Sequence, residues 1–560
     1  MSHCLRKLKI LLQCNWFYLL IVLIILVYTF IYIKNYVPLE IYDKNKSEFE
    51  LTIKEFKIDG DKLSISFNEY LVGTYYFKTV NEKESFNFNL NDKVYVRGKL
   101  SLPKENTIFN MFNYKEYLYY KGILYTILID EIELISLNNN IFYKFKNYVC
   151  NRIKKINNDY LYAFILGETY YIDNEIYNNY KTNGITHLFS LSALHVSIFS
   201  SILYFILKKF KISEIFSLII VSSFLFFFSF ISSFSSSMLR ALIFFILNSL
   251  NKLYKFNIKN KNILYITFCI LLIINPNNIF DIGFKLSFII TFFIILFSDN
   301  YKIKSSILST LIISFISFLA SLPLVINMSY EVNFIGFISN IFFIPLVSYI
   351  LFPLSLISFV FNYFVIILEF VIKLMEYISF IFSNYFNLSI IISCLKLYEI
   401  IIYYVLLYIF IKRKSFIIIL YIYILYLILK PCFDSYTDIY FLDVSQGDSI
   451  LIVNQYNKSV LIDTGGKFSK EKEVWMKRNK EYNFVLSCMV PFFKSVGLKK
   501  IDFLILTHGD YDHMGWSINL VNNFKVEKVI FNCGEYNDLE KELIKVLDKK
   551  KINIIHVLKN

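Results

Sequence analysis

Long apolar segments separated by short polar loops are the main pattern of this chain. From about His187 to Lys430, roughly ten segments carry almost no charge, and each comes close to the about 20 residues that a helix needs to cross a bilayer. They begin near His187, Ser213, Met238, Ile263, Gly283, Ser306, Phe334, Phe364, Leu397 and Phe416. The pattern predicts a bundle of membrane helices and leaves open that some segments are re-entrant rather than spanning.

Another apolar run, from about Leu11 to Ile33, follows the basic residues Arg6, Lys7 and Lys9. A signal peptide would have a shorter apolar region followed by small residues at a cleavage site, and neither is found here. The run therefore predicts a retained N-terminal helix whose basic end is cytoplasmic, so that the next residues lie outside the membrane.

Two regions lack this pattern. From about Val37 to Leu137, short runs such as residues 63–67 and 94–98 alternate apolar and polar residues, which is typical of strands in a small antiparallel sheet or barrel. After Pro431, apolar strand-like runs alternate with helical ones, which indicates an α/β domain. We therefore expect one soluble domain before the helical bundle and one after it.

Composition agrees with a polytopic membrane protein. Hydrophobic residues make up 56% of the 560 residues and charged residues only 18%, which excludes disordered and collagen-like chains. The net charge of +14 would suit a nucleic-acid binder, but many basic residues lie in short loops between apolar segments. Because basic loops favour the cytoplasm, residues 208–211, 252–261 and 412–414 predict the cytoplasmic side, and both soluble domains are then extracytoplasmic. The eight cysteines form no ligand-like cluster.

The run Thr507-His-Gly-Asp-Tyr-Asp-His513 carries the clearest chemistry. It places two imidazoles and two carboxylates at the end of an apolar strand, where His508, Asp510, Asp512 and His513 can face one centre. Such nitrogen and oxygen donors suit Zn²⁺ or Mn²⁺, and metal ions there could activate a water molecule. We therefore predict all four residues as metal ligands, with Asp512 and His513 as the catalytic pair.

Polar residues also interrupt the apolar bundle. His187, Ser192 and His195 lie in its first segment, Arg240 in the third and Asn340 in the seventh. Ionisable groups inside a membrane are costly and usually face a bundle interior or a water path. We predict that these five residues line a channel. The alternatives are interfacial or packing roles, and a Ser-His nucleophile, which has no third group to orient it.

Taken in order, these motifs resemble the ComEC family, the inner-membrane DNA-uptake channels of naturally competent bacteria. The series comprises residues 110–123, the Leu-Gly element at 165–168, residues 187–195, 240–241, 283–288, 340–345 and 441–449. Residues 461–466 and 507–513 are also similar to the metallo-β-lactamase superfamily, whose usual motif is His-x-His-x-Asp-His. Asp510 stands where the second His of that motif is usual.

The resemblance implies a polytopic α-helical membrane protein with an N-terminal all-β OB-like domain and a C-terminal partial αββα metallo-β-lactamase-like domain. It divides the chain into an anchor helix (1–36), the OB-like domain (37–140), a connecting helical segment (141–183), the channel domain (184–430) and the metallo-β-lactamase-like domain (431–560). The implied function is transport of single-stranded DNA across the cytoplasmic membrane during competence, with degradation of the other strand. The implied partners are DNA, the membrane, a DNA-receptor protein and a cytoplasmic motor ATPase.

Several residues depart from the family pattern. Ala193, Lys285 and Ser445 stand where Gly, Gln and Gly are usual, and one leading helix is found where many members have two. The residues after His513 show no match for the later ligands of the superfamily, since His556 lies in an apolar, strand-like run. The C-terminal domain is therefore expected to be truncated or degenerate, with an incomplete site for Zn²⁺ or Mn²⁺ and little nuclease activity.

Two other functions stay open from the residues alone. A small-solute permease carrying a vestigial hydrolase-like domain would be expected to have an inverted repeat or a matching pair of broken helices, and the sequence contains neither. An extracytoplasmic metallohydrolase that is merely anchored by helices would leave the polar residues of the bundle without a role.

Overall fold

A computed structural model describes residues 15–38, 42–43, 46–433, 435–467, 473–479, 481–532 and 534–556. Arg6, Lys7 and Lys9, on which the predicted orientation of the first helix depends, lie outside the described residues.

The N-terminal part combines a membrane helix with a β-barrel. Helix α1 (Asn15–Lys34) is apolar and largely exposed, as a lipid-facing helix should be. The next five strands form a closed barrel in the order β1-β2-β3-β5-β4. Their bounds are β1 (Glu48–Asp59), β2 (Lys62–Phe67), β3 (Val72–Tyr76), β4 (Lys93–Ser101) and β5 (Thr126–Ser136). OB folds are also five-stranded barrels, and alternate residues of β2 are buried, as the sequence pattern predicts.

Helices flank β4 and then connect the barrel to the bundle. Helix α2 (Val80–Ser85) precedes β4, and α3 (Tyr114–Tyr120) follows it. After β5 come α4 (Ile141–Ile156), a helical turn that continues as a π-helix (Tyr162–Leu166), and α5 (Asn174–Thr182). The Asn147 side chain on α4 accepts a hydrogen bond from the Leu90 N–H at 3.0 Å and donates one to the Leu90 carbonyl at 3.2 Å. This pair of bonds fixes α4 to the barrel.

The central bundle is helical throughout. Its helices are α6 (Ala193–Lys209), α7 (Glu214–Ile231), α8 (Ser236–Leu253), α9 (Asn260–Ile274), α10 (Ile282–Asn300), α11 (Ser306–Ser329), α12 (Gly336–Pro345), α13 (Phe352–Val360), α14 (Val365–Tyr385), α15 (Leu397–Lys412) and α16 (Ile417–Leu429). A π-helical turn, Leu346–Leu351, joins α12 to α13 without a break. Among the described residues, 7 helices are long and apolar enough to cross a membrane. The chain is a multi-pass membrane protein, as the sequence predicted.

A small sheet closes one loop of the bundle. Strand β6 (Glu331–Asn333) lies between α11 and α12, and β7 (Ser389–Ile391) follows α14. The two strands pair antiparallel, with Val332 opposite Ile390. The helices between them therefore form a hairpin whose two ends meet.

The C-terminal domain is built on one sheet of six strands in the order β13-β12-β11-β10-β9-β8. The strands are β8 (Asp438–Phe441), β9 (Ile450–Val453), β10 (Ser459–Ile462), β11 (Ile501–Leu506), β12 (Val526–Phe531) and β13 (Asn553–His556). The first three pair antiparallel, whereas β10 to β13 are parallel. The main helices are α17 (Val490–Ser495), α18 (Tyr511–Met514), α19 (Ser517–Asn523) and α20 (Asp538–Lys550).

The two faces of this sheet differ. Leu451, Leu461 and Leu504 on one face are buried with the helices in the domain core. On the other face, one apolar residue from each strand forms a continuous row. The row consists of Phe441, Ile450, Ile462, Ile505, Ile530 and Ile555, and none of these six belongs to the core. Within the described residues the domain is thus a sheet covered by helices on one face, which is half of an αββα sandwich.

A loop from the barrel joins all three parts of the molecule. Ile108 is buried in the core of the C-terminal domain. The Asn110 side chain donates a hydrogen bond to Ser495 Oγ at 3.2 Å, and the Tyr330 hydroxyl donates one to the Asn110 carbonyl. Asn110 has a φ of +62°, a left-handed conformation that Asn adopts more readily than most residues.

A loop of the C-terminal domain, residues 473–479, makes a second contact with the barrel. The Arg478 guanidinium donates to Asp61 Oδ1 at 2.8 Å and to Oδ2 at 3.1 Å, and the Asn479 N–H donates to Asp59 Oδ1 at 2.7 Å. Gly60, between the two aspartates, has a φ of +58°, and a Cβ there would lie 2.5 Å from the Met476 carbonyl oxygen. The close approach therefore requires glycine.

Removing the Arg478 guanidinium tests this interdomain contact. Both side chains of the pair are largely shielded, with 21% and 17% exposed, so we expect Arg478→Ala to lower the free energy of unfolding by about 1.5 to 3 kcal/mol. Unfolding of the purified protein, combined with Asp61→Asn in a double-mutant cycle, measures the coupling. Lys477→Ala, in the same loop and exposed, is the matched control. Equal losses for the two variants would contradict the assignment.

Candidate functional site

A sharp turn after β11 gathers the candidate metal ligands. His508 follows the strand, and α18 begins at Tyr511, so the chain folds back toward His508. One ligand atom from each of His508, Asp512 and His513 lies within 4.8 Å of the others. The two imidazole ring centroids are 3.8 Å apart, and His513 Nε2 lies 3.8 Å from an Asp512 carboxylate oxygen.

Two glycines allow the backbones of two neighbouring loops to pack closely against this turn. A Cβ on Gly447 would lie 1.5 Å from the Asp512 carbonyl oxygen, and one on Gly466 would lie 2.2 Å from that of Tyr511. Ser445, in the first of these loops, has a φ of +71°. That left-handed conformation is a physical reason for the glycine that related sequences usually have at this position.

Asp463, which follows the last residue of β10, holds Thr507 and His513 in place through hydrogen bonds. Its Oδ2 accepts hydrogen bonds from the Thr507 hydroxyl at 2.7 Å and from His513 Nδ1 at 2.9 Å, and its Oδ1 accepts one from the Thr507 N–H at 2.9 Å. A carboxylate accepts only, so His513 carries its proton on Nδ1 and leaves Nε2 free for a metal. Asp463 belongs to the metallo-β-lactamase-like run 461–466, but the sequence pattern predicted no role for it. The available signal was a carboxylate at the end of a strand next to the motif strand.

The charge around His513 favours its protonated form when no metal is bound. Burial alone would lower the pKa of His513, but the hydrogen bond that His513 donates to Asp463 and the negative charges of Asp463, Asp512 and Asp448 raise that pKa above its usual value. A metal ion would therefore compete with a proton for His513, and the same carboxylates would offset the charge of the cation.

Asp510 does not join this group. Its side chain is 73% exposed, with a carboxylate oxygen 3.5 Å from His508 Nε2. Asp510 immediately precedes α18, and its side chain makes no capping hydrogen bond there. Of the four predicted ligands, the structure brings together three, because the turn directs the Asp510 side chain toward solvent.

His556 lies at the same edge of the sheet, since β11 and β13 run parallel and end on the same side. Its Nδ1 lies 2.6 Å from the Tyr536 hydroxyl, and the side chain is exposed rather than packed. It is not a member of the metal-ligand group among the described residues. Although its strand-like run is apolar, His556 is therefore not packed in the domain core.

Two imidazole nitrogens and one carboxylate oxygen fit a divalent cation such as Zn²⁺ or Mn²⁺. His508, Asp512 and His513 would hold it, and Asp463 would fix the orientation of His513. A cation bound by three protein ligands keeps a position for water, whose pKa it lowers enough to supply hydroxide near neutral pH.

The polar residues of the first bundle segment have local partners. The Ser192 N–H donates to His195 Nδ1 at 3.1 Å, which makes His195 part of the N-terminal cap of α6. His195 is 1% exposed, and within the described structure its Nε2 has no hydrogen-bond partner. His187 is exposed, and its Nδ1 lies 3.0 Å from the Gly184 carbonyl oxygen.

Arg240 and Asn340 lie on other helices. Arg240 is 6% exposed, and its Nε donates to Ser287 Oγ on α10 at 2.5 Å. Asn340 is half-buried on α12, and its Oδ1 has no partner among the described residues. Of the five predicted channel residues, direct contact joins only Ser192 and His195 in the described part of the chain, so a shared channel surface remains a prediction.

Known proteins match this chain in both of its main regions. The family model described as Competence protein matches residues 164–431, and that of the Metallo-beta-lactamase superfamily matches residues 442–551. ComE operon protein 3 of Bacillus subtilis is 24% identical over 535 residues, which cover 90% of this chain and 69% of that protein. Uncharacterized protein MG316 of Mycoplasma genitalium is 26% identical over 216 residues, which cover 38% of this chain and 55% of that protein.

The role of Asp463 can be tested by metal affinity. We expect Asp463→Asn to weaken Zn²⁺ binding by about 10- to 100-fold, because it removes the carboxylate that orients His513. Competition of the purified protein with a chelating indicator dye measures the affinity. Asp510→Asn is the matched control and should leave it unchanged. A comparable loss in Asp510→Asn would restore Asp510 to the ligand set.

Proposed function

The chain belongs to the ComEC family of competence proteins, which gives it a role in DNA uptake at the membrane, and we propose that it passes a single DNA strand through its helical bundle. In this proposal the barrel contacts incoming DNA on the extracytoplasmic side. The metal-binding domain, on the same side, faces the strand that is not transported. A DNA-receptor protein would deliver DNA to this side, and a cytoplasmic motor ATPase would act at the other.

The observation that carries this proposal is the environment of Arg240. Its guanidinium is buried in the helical bundle and bonded to a neutral hydroxyl, that of Ser287. No carboxylate among the described residues lies within ion-pair distance of it. An uncompensated positive charge is costly in a membrane, and a passing phosphate backbone would offset that cost.

The arrangement of the soluble domains gives further support. The barrel and the metal-binding domain are fixed to one another through Arg478 and Asp61, and both are fixed to the bundle through Asn110. Duplex DNA held at the barrel would therefore be presented at once to the metal site and to the mouth of the bundle. Sidedness follows from the basic loops of the bundle, which favour the cytoplasm.

DNA uptake in a transformable host tests the role of Arg240. We expect Arg240→Gln to reduce entry of labelled DNA into the cytoplasm by roughly tenfold or more, because the neutral side chain no longer attracts phosphate. Arg240→Lys keeps the charge and should retain much of the uptake. Both variants must be present in the membrane in amounts equal to the parent protein. Unimpaired uptake in Arg240→Gln would refute the proposed transport path.

Nuclease activity should be weak. A two-metal mechanism needs further ligands to hold a second ion about 3.5 to 4 Å from the first, and the described residues gather only one group of three. We expect the purified full-length protein with Mn²⁺ or Zn²⁺ to degrade linear DNA no faster than its Asp512→Ala variant. Robust cleavage that disappears in Asp512→Ala would contradict this expectation.

A further inference from the structure

The helical hairpin between β6 and β7 raises a question of orientation. The continuous helix Gly336–Val360, which combines α12, the π-turn and α13, has 25 residues and is apolar enough to cross a membrane. At about 1.5 Å per residue it is roughly 37 Å long. If it crossed the bilayer, its far end would lie on the side opposite to β6 and the soluble domains.

The near end lies at the level of the soluble domains. Glu331 of β6 forms an ion pair with Lys494 of the C-terminal domain. At the start of α12, Gly336 packs on Gly184, where a Cβ would lie 3.2 Å from the Gly336 Cα. Ser339 Oγ donates to the Asn183 carbonyl at 2.7 Å.

The far end is also held close to the barrel. The Arg152 guanidinium on α4 donates to the carbonyls of Phe359 and Val360, both at 3.2 Å, and to Asn362 Oδ1 at 3.0 Å. Asn147, on the same helix, is bonded to Leu90 of the barrel. The five residue-to-residue steps from 147 to 152 rise only about 8 Å along the helix. The tip of the hairpin therefore lies within a short distance of the barrel.

The middle of the helix lies near the same ends of its neighbours. The Phe352 ring centroid is 5.3 Å from that of Phe199, which in turn is 4.7 Å from that of Phe228. Phe228 belongs to the last turn of α7, just before the loop that Lys146 of α4 contacts through Ser233 at 2.8 Å. The start, middle and end of the 37 Å helix are thus all near the side of the barrel.

The surface of α14 fits an orientation in the membrane plane. Glu369 and Lys373 are exposed in the first half of this helix, the second of them two residues from its centre, where a spanning helix would place a charge in hydrocarbon. Beside them, Ile366 is 77% exposed and Phe370 is 70% exposed. A charged flank next to an apolar flank is the pattern of helices that lie at the interface between headgroups and acyl chains.

We propose that residues 336–385 form an in-plane hairpin that rests on the lipid of the leaflet facing the soluble domains. Its apolar flank contacts acyl chains, its charged flank faces the headgroups, and Arg152 holds its tip. Tyr363, which is 89% exposed at the tip, lies at the level where aromatic residues anchor proteins in the interface. The inference does not depend on the proposed transport function.

Cysteine labelling in intact cells tests the orientation. In a variant of the full chain whose native cysteines are replaced by serine, single cysteines are placed at Tyr363, at Lys304 in the loop between α10 and α11, and at the native position Cys432, which is exposed before β8. A membrane-impermeant maleimide should label Tyr363→Cys on the same side as Cys432 and opposite to Lys304→Cys. Labelling of position 363 together with position 304 would overturn the proposal. Because the comparison is relative, it stands even if the predicted sidedness of the domains fails.

Spin-label depth gives a second measurement, which does not depend on labelling in intact cells. A nitroxide on Tyr363→Cys in reconstituted vesicles should be reached by a water-soluble relaxation agent to an extent typical of the headgroup region. A depth near the bilayer centre would overturn the proposal. Arg152→Met should increase the mobility of this label, whereas Lys155→Met, exposed on the same helix, should not. Equal mobility in the two variants would refute the role given to Arg152.

Discussion

Hydrocarbon offers no hydrogen-bond partner, so each polar group in the helical core must find one within the protein. Most hydroxyls of the bundle do so locally: Ser229 and Thr267 each donate to the carbonyl one turn earlier, at 2.8 Å. The buried Glu399 carboxylate is paired with Lys430 at 2.8 Å. Several buried polar atoms nevertheless lack a hydrogen-bond partner among the described residues, including Nε2 of His195, Oδ1 of Asn262 and Oδ1 of Asn340. Arg240 differs from them because it carries a charge, and its guanidinium is bonded to a neutral hydroxyl.

Polar contacts also fix the soluble domains to one another and to the bundle. Three residues make polar contacts with the C-terminal domain. They are Asp61 of the barrel, Asn110 of the loop between β4 and α3, and Glu331 of the bundle. These contacts involve charged groups or residues that make two hydrogen bonds. Such contacts fix the relative orientation of two domains better than apolar contact alone. The barrel, the candidate metal-binding turn and the helical bundle are therefore parts of one assembly. In the proposed function, this assembly holds the DNA-contacting, metal-binding and transporting parts next to one another.

The sequence was informative about those elements whose structure depends on one continuous segment of the chain. Absence of charge located the bundle helices to within a few residues, and period-two alternation located the barrel strands. The sequence pattern was not informative where a contact between two distant segments determines the role of a residue. The role of Asp463 depends on the parallel pairing of β10 with β11, which no periodicity encodes. Hydropathy likewise measures how long an apolar helix is but not in which direction it runs, so it does not decide between spanning helices and the in-plane hairpin proposed for residues 336–385.

The burial of Ile108 in the C-terminal core has a consequence for the order of events on the ribosome. Domains generally fold as units during synthesis, the N-terminal ones first. The segment that carries Ile108 is made before the first bundle helix, yet its apolar side chain has no core to pack against until residues 442–547 have been translated. Burial of Ile108 is therefore completed only when the last domain folds. A nascent chain that stalled within the bundle would leave this side chain exposed.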